Sequence, residues 1–246
     1  VAIRSITHTN GISVVIPAYD AGATVADVVS RSLQQMDRVL VIDDGSSDTT
    51  ADEAAGAGAR VARHQENRGK GAALLTGMRQ LIEEGATGVI TLDADGQHLP
   101  EEIPKLLAMV AKSQQEGAPV DIVLGSRAHL FEGMSRARQS ANRISSGLIS
   151  FAAGKPFDDV QTGFRYYSRR VIQEFGMPGT GFEAESAVIV LAARGGYSVV
   201  TTPIELGFTD GRGTSHYRSI YDSIRIAKAV ISARYGPLSW AHKKSS

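Results

Sequence analysis

The chain has 246 residues, no cysteine, and 26 basic against 26 acidic residues. The missing cysteines exclude disulfides, thiolate metal sites and a cysteine nucleophile, and a formal net charge of zero argues against a general nucleic-acid binder. The longest apolar run, Ala187–Ala193, is far below the ~18–20 residues of a membrane span, and no signal peptide is visible near Arg4, so a cytoplasmic protein without a transmembrane span is expected.

Length and a 42% hydrophobic content allow one large α/β domain or two small ones. Short apolar runs alternate with stretches of helical period, the rhythm of βαβ units. Ile12–Ile16, Arg38–Ile42, Arg60–Arg63, Val89–Leu92 and Ile122–Leu124 read as strands covered on both faces. Between them Thr24–Met36, Thr49–Ala57, Gly71–Glu83 and Glu101–Glu116 read as helices, the last preceded by Pro100, which a helix start tolerates. Farther on, Arg136–Ala153 reads as a helix, Phe164–Ser168 as a strand, Glu183–Arg194 as a helix, and Ser198–Thr202 and Ile204–Phe208 as strands. Thr209–His216 reads as a mobile loop of Gly, Arg, Thr and Ser. Ser219–Tyr235 reads as a helix with Ile220, Ile224, Ala227 and Ile231 in one stripe, either docked on the core or lying on a membrane surface. No linker or repeat marks a boundary, so residues 1–246 are expected to form a single domain. Its charge is uneven: residues 1–210 carry a net −6 and residues 211–246 a net +6, which suggests that one end meets phosphate, anionic lipid or a partner.

Three polar clusters stand where predicted strands end or a helix begins, the place where open α/β sheets bind ligands. Asp43-Asp44-Gly45-Ser46-Ser47-Asp48 follows the second strand; helix capping accounts for Asp48 but not for two acids at a strand end. Asp93-Ala94-Asp95-Gly96-Gln97-His98 follows the fourth, and carboxylates two apart around a small residue suit a hard cation. Asn67-Arg68-Gly69-Lys70-Gly71 opens a helix, where glycines and the N-terminus favour phosphate. It is neither a Walker A loop nor a dinucleotide fingerprint, because no Ser or Thr follows Lys70 and the third glycine is missing. Ser47 and Ser215 have no His–Asp arrangement nearby in sequence, so a serine nucleophile is rejected.

These clusters, with Pro17-Ala18-Tyr19, occur in the order and spacing of the GT-A type, family 2 inverting glycosyltransferases, which the chain resembles from about Gly11 to Tyr235. Gly125-Ser126-Arg127, Gln161-Thr162-Gly163-Phe164-Arg165, Phe182-Glu183-Ala184-Glu185 and Gly213-Thr214-Ser215-His216 look like the marks of the polyprenyl-phosphate (dolichyl-phosphate) mannose and glucose synthases within it. The resemblance implies a GT-A α/β fold with a mostly parallel central sheet flanked by helices. It further implies a Rossmann-like nucleotide-sugar-binding half over about 11–124 and an acceptor half over about 125–235 that ends in an amphipathic helix. A GDP- or UDP-hexose would be the donor and a polyprenyl phosphate, met peripherally at the cytoplasmic membrane face, the acceptor; the oligomeric state stays open.

By the same resemblance Asp43 and Asp44 would contact the nucleoside, and Asp93, Asp95 and Gln97 would hold Mg²⁺ or Mn²⁺ against the diphosphate. Pro17, Tyr19, Gly69, Lys70, Ser215 and His216 complete the donor-binding candidates. The family commonly carries Asn-Glu after Pro-x-Tyr where this chain has Asp20-Ala21, a departure that bears on any base or ribose contact at the Glu position. The candidates for catalysis are Asp95, Arg127, Arg138 and Glu183. A phosphate acceptor is already anionic and needs cations to hold it, which Arg127 and Arg138 would supply, with Arg165 a third arginine of that half. A hydroxyl acceptor needs a carboxylate base, for which Glu183 or Glu185 stands ready; i and i+2 on a helix do not share a face, so only one of them is expected at the site. His98 is read as a neighbour of the metal site. A non-catalytic nucleotide-sugar-binding protein is the remaining alternative, and the intact Asp93/Asp95 pair argues against it.

Overall fold

The structure, a computed structural model, describes residues 11–133, 136–207 and 219–237. Seven strands form one sheet: β1 (Ile12–Ala18), β2 (Val39–Asp43), β3 (Arg60–Arg63), β4 (Gly88–Thr91), β5 (Ile122–Ser126), β6 (Arg165–Ser168) and β7 (Val199–Pro203). Among the described residues eight α-helices accompany them: α1 (Val25–Gln35), α2 (Thr50–Gly56), α3 (Lys70–Glu83), α4 (Ile103–Gln115), α5 (Arg136–Ala153), α6 (Arg169–Phe175), α7 (Glu183–Arg194) and α8 (Ser219–Tyr235). The order across the sheet is β3-β2-β1-β4-β6-β5-β7, and every neighbouring pair is parallel except the two made by β6. The expected α/β fold with a mostly parallel sheet is therefore the fold observed.

Strand alternation divides the core into two layers. On β1, Val15 faces the layer that holds Leu74, Met78 and Leu81 of α3 together with residues of α5, α6, α7 and α8. Val14 and Ile16 face the opposite layer, with Val25, Val28 and Val29 of α1 and Ile103, Leu106 and Val110 of α4. Such two-sided burial follows from helices crossing over both faces of a parallel sheet. Helix α7 is buried from Glu183 to Ala192, because it lies between the sheet and the neighbouring helices α5 and α8; its apolar run from Ala187 to Ala192 is what such a position selects.

Two expectations change. Arg60–Arg63 is an edge strand with exposed or half-buried residues, not one covered on both faces. No strand forms at 204–207: Pro203 closes β7, and the segment that follows makes only a bridge between Leu206 and His98. Helix α6, which is not among the expected elements, is started by Ser168, whose hydroxyl accepts from Val171 N at 3.3 Å. The loop Thr209–His216, with Ser215 and His216, lies outside the described residues, as does Phe208.

Candidate active site

The C-terminal ends of β1, β2 and β4 lie side by side in the parallel part of the sheet, and so bring Pro17–Asp20, Asp43–Asp48 and the turn after β4 to one edge. Positive φ at Asp20 (46°) folds the chain back after β1. Its carboxylate accepts from Ser47 N at 2.9 Å, and its own N–H donates to Ser46 Oγ at 2.9 Å. This chain thus uses Asp20 to tie β1 to the β2 turn, while Ala21 is buried and donates its N–H to Thr50 Oγ1 at 2.7 Å. Pro17 and Tyr19 are half-buried at this edge.

Asp43 and Asp44 are both buried, and their oxygens are engaged within the chain. Asp43 accepts from Ser46 N at 2.9 Å and pairs with Arg63 Nε at 3.0 Å. Asp44 accepts from Arg68 N at 3.0 Å and Gly69 N at 2.7 Å and meets His64 Nδ1 at 2.6 Å. The two acids the sequence assigns to a nucleoside therefore hold the β2 turn and the loop that leads into α3. That loop also needs its glycines for packing. Gly69 has a φ of +94°, and a Cβ there would sit 2.4 Å from Thr180 O; one on Gly71 would sit 2.8 Å from Ala184 Cβ.

Beyond β4 lies a half-buried charge network centred on Lys70, the first residue of α3. Its ammonium lies 2.6 Å from Asp93 Oδ1 and 2.8 Å from Glu185 Oε2, 5.5 Å from the centroid of the Phe182 ring. Burial works against the ammonium, but the two carboxylates outweigh it and raise its pKa. Asp93 is likewise penalised by burial yet held below the ordinary carboxylate range by Lys70. Asp95 is pushed up, by burial and by the charge of Asp93, although one of its oxygens accepts from Gln97 N at 3.0 Å. Gly163 leaves room for this arrangement, since a Cβ there would lie 2.1 Å from Asp93 Oδ2. His98 sits beneath the site, buried, 3.8 Å from Asp93 Oδ2 and 3.3 Å from Thr162 Oγ1. Burial holds its pKa down to about 4, so it is neutral at neutral pH. Gly207 N donates to Gln97 O at 3.0 Å, which leads the chain past this turn just before residue 208.

The expected second-half residues divide. Glu185, not Glu183, joins the Lys70–Asp93 cluster. Glu183 points away from it: its Oε1 accepts from Thr180 N at 3.2 Å and Gly181 N at 3.1 Å and pairs with Arg225 at 2.5 Å. The reason is the helical period, which sends residues two apart to different faces of α7. Arg127 is bound in a fork by Asp159, Nε to Oδ2 at 2.7 Å and Nη2 to Oδ1 at 3.0 Å, and Asp159 is fully buried. Arg165 is a core residue, donating to the carbonyls of Thr162, Val160 and Glu185 at 2.6–2.9 Å. Arg138 lies on α5, with its side chain outside the described residues. The sequence reading missed Asp159 and the Lys70–Glu185 contact; the only signal was the presence of uncompensated acids and a lysine in segments far apart in the chain.

The sequence matches the profile of Glycosyl transferase family 2 over residues 13–176. A polyprenol monophosphomannose synthase of Mycolicibacterium smegmatis is 30% identical over 231 residues, 86% of this chain and 84% of that one. An uncharacterized protein of Methanocaldococcus jannaschii, MJ1222, is 30% identical over 214 residues, 83% and 86% of the two chains. A UDP-N-acetylglucosamine–dolichyl-phosphate N-acetylglucosaminyltransferase of Methanococcus voltae is 26% identical over 230 residues, 83% and 90% of the two. Among solved structures, glucosyl-3-phosphoglycerate synthase from Mycobacterium tuberculosis with Mn²⁺, uridine diphosphate and phosphoglyceric acid has a TM-score of 0.64 at 19% identity, covering 91% of this chain and 77% of that one. That likeness is one of fold and agrees with the sheet and helices described above. The strand-end acids, the Lys70 network and the match over residues 13–176 converge: this chain belongs to glycosyl transferase family 2 and is a sugar-transferring enzyme of the GT-A fold.

Proposed function

We propose that this enzyme transfers a hexose by single displacement from a GDP- or UDP-hexose, bound over about 11–124, to an acceptor bearing a phosphate, met by residues of about 125–235. The carrying observation is the Asp93/Asp95 turn at the end of β4, held against Lys70 and Glu185. Mg²⁺ or Mn²⁺ fits this turn. Its donors are hard oxygens, and the Asp95 carboxyl is crowded by the charge of Asp93. One or two carboxylates suffice for an ion that completes its shell with substrate phosphates. When bound, the ion would neutralise charge that builds on the departing diphosphate. Asp95 and Asp93, with Gln97 beside them, would hold it, and Lys70 at the start of α3 would add a cation toward the same phosphates. The names and contents of the relatives support this reading: Mn²⁺ and uridine diphosphate accompany the solved neighbour, and UDP-N-acetylglucosamine is the donor in one relative's name.

Two acceptors of that chemistry have support. A small phosphorylated molecule that attacks through a hydroxyl is supported at the site itself. Glu185 is the carboxylate that reaches the cluster, Arg127 is already forked by Asp159, and the solved neighbour holds phosphoglyceric acid. A polyprenyl phosphate is supported by the names of the sequence relatives. Purified protein with UDP- and GDP-hexoses, Mg²⁺ or Mn²⁺, and either phosphoglyceric acid or a short-chain polyprenyl phosphate separates them by the product formed. Absence of transfer to either acceptor from any donor would overturn the proposal.

A further inference from the structure

Between β3 and α3 the chain runs from His64 to Gly69, and in this loop Gln65, Glu66, Asn67 and Arg68 are exposed while His64 is buried. A loop with so little apolar anchorage lies where its polar bonds put it. His64 makes three of them. Its backbone N–H donates to Asp43 O at 2.9 Å, its Nδ1 lies 2.6 Å from Asp44 Oδ1, and its Nε2 lies 3.0 Å from Thr76 Oγ1. A carboxylate only accepts, so Nδ1 carries the hydrogen of its bond, and in the neutral ring Nε2 accepts from the Thr76 hydroxyl.

The series Asp44–His64–Thr76 thereby joins the end of β2, the end of β3 and the second turn of α3. Asp44 reaches the far end of the same loop, where Oδ1 also accepts from Arg68 N at 3.0 Å and Oδ2 from Gly69 N at 2.7 Å. Those two amides stand immediately before Lys70, whose ammonium meets Asp93 and Glu185. Thr76 adjoins Gly77, where α3 presses on β1 and β2. One imidazole therefore fixes α3 at two points, ahead of its first residue through Asp44 and within its second turn through Thr76. Hydroxyl, imidazole and carboxylate in this order also make up a nucleophilic triad. Here, however, the nearby amides are consumed by Asp44 and the hydroxyl belongs to a helix packed on the sheet, so the arrangement holds its neighbours in place.

We propose that His64 is a positioning residue for donor binding: by tying Asp44 to Thr76 it sets the Lys70 ammonium where the donor diphosphate arrives. The proposal rests on the reading of Lys70 given above, as a cation toward those phosphates. Without the ring, the start of α3 keeps only the Asp44 amide bonds and its second turn loses its tie to the strand ends. A misplacement of about 1 Å at a substrate-positioning group is already costly.

The test is calorimetric titration of the folded enzyme with uridine diphosphate and guanosine diphosphate in Mg²⁺. For the diphosphate that the wild type binds more tightly, Lys70→Met and His64→Ala are each expected to weaken binding about tenfold. On the Lys70→Met background His64→Ala should add less than about twofold, because no ammonium is left to position. His64→Asn, whose amide nitrogen falls where Nδ1 stood, should recover most of the affinity, and Thr76→Val, which removes only the outer bond, should lose about threefold. A merely structural role would lower the melting temperature in both backgrounds and leave the affinity of the folded protein alone. Wild-type affinity in folded His64→Ala would overturn the proposal. So would an equal loss with and without Lys70, which would place the effect at Asp44 itself. Where His64→Ala does not fold, Thr76→Val completes the same cycle, and its unchanged affinity would overturn the proposal as well. Unchanged affinity in Lys70→Met, or no binding of either diphosphate by the wild type, defeats the underlying reading and this proposal together. A weakened Lys70→Met beside an unaffected His64→Ala defeats the positioning alone.

Discussion

Replacing Asp95 by Ala removes a half-buried carboxylate that supports only its own turn through Gln97 N, so the melting temperature is expected to stay within a few degrees while metal-dependent transfer nearly vanishes; wild-type turnover in this variant would place the cation elsewhere. Lys70 competes with any cation for Asp93, because its ammonium already sits 2.6 Å from Oδ1. Lys70→Met keeps the volume and removes the charge. Manganese titrations followed by electron paramagnetic resonance should then show tighter binding, by about tenfold if some 1.4 kcal/mol of competition is lifted, and unchanged or weaker binding would show that Lys70 does not guard the site. Arg127 carries a different expectation from a free phosphate-binding arginine. Arg127→Ala strands the fully buried Asp159, and loss of one partner of a buried pair costs about 3–5 kcal/mol. A large drop in thermal stability, only partly restored by Arg127→Lys because lysine cannot form the fork, is the expected result. Stability like that of the wild type would return Arg127 to a purely acceptor-binding role.

Among the elements, α3 is set by what its glycines permit. Gly77 faces β1 and β2 so closely that a Cβ would lie 2.3 Å from Val15 Cγ2 and 2.9 Å from Ile42 Cγ1. Gly77→Ala must push α3 off the sheet, and overpacking of this kind costs about 1–3 kcal/mol. Because α3 begins with Lys70, the same shift should weaken donor binding. Gly147, in the interior of α5, has nothing within 4 Å of its Cβ position, so Gly147→Ala should stabilise the helix by roughly 0.5–1 kcal/mol. Urea unfolding of the two variants gives opposite signs if the close approach at Gly77 is real, and the same sign if it is not.

The molecule as a whole should answer to pH through His98. Its folded pKa of about 4 lies below the ordinary 6.5, so between these values the unfolded chain binds a proton that the native chain refuses. Stability then falls as the pH drops from about 6.5 to about 4, by on the order of 3 kcal/mol, and this contribution is fully present above that window. Asp93 and Asp159, whose pKa values are held below the ordinary 3.8, add a further loss as the pH falls through their depressed values. His98→Gln should flatten the upper part of the profile in denaturant titrations at successive pH values, and an unchanged slope there would mean that His98 is not held neutral by the fold.

Sequence by itself determined the α/β class, most of the strands and helices, and the Asp93–Gln97 turn, because hydrophobic period and turn chemistry are local properties of the chain. It also separated Glu183 from Glu185 in principle, through the period of α7, without saying which one meets Lys70. Only the tertiary structure decided that. It showed Lys70 between Asp93 and Glu185, Asp44 holding Gly69 and Arg127 locked to Asp159, contacts between residues 23–115 positions apart. The same holds for antiparallel β6 between β4 and β5 and for the edge position of β3, since a strand's neighbours are chosen by the packing of the helices around it. A side chain's charge is written in the sequence, but whether that charge is free for a ligand depends on the partner that folding brings to it.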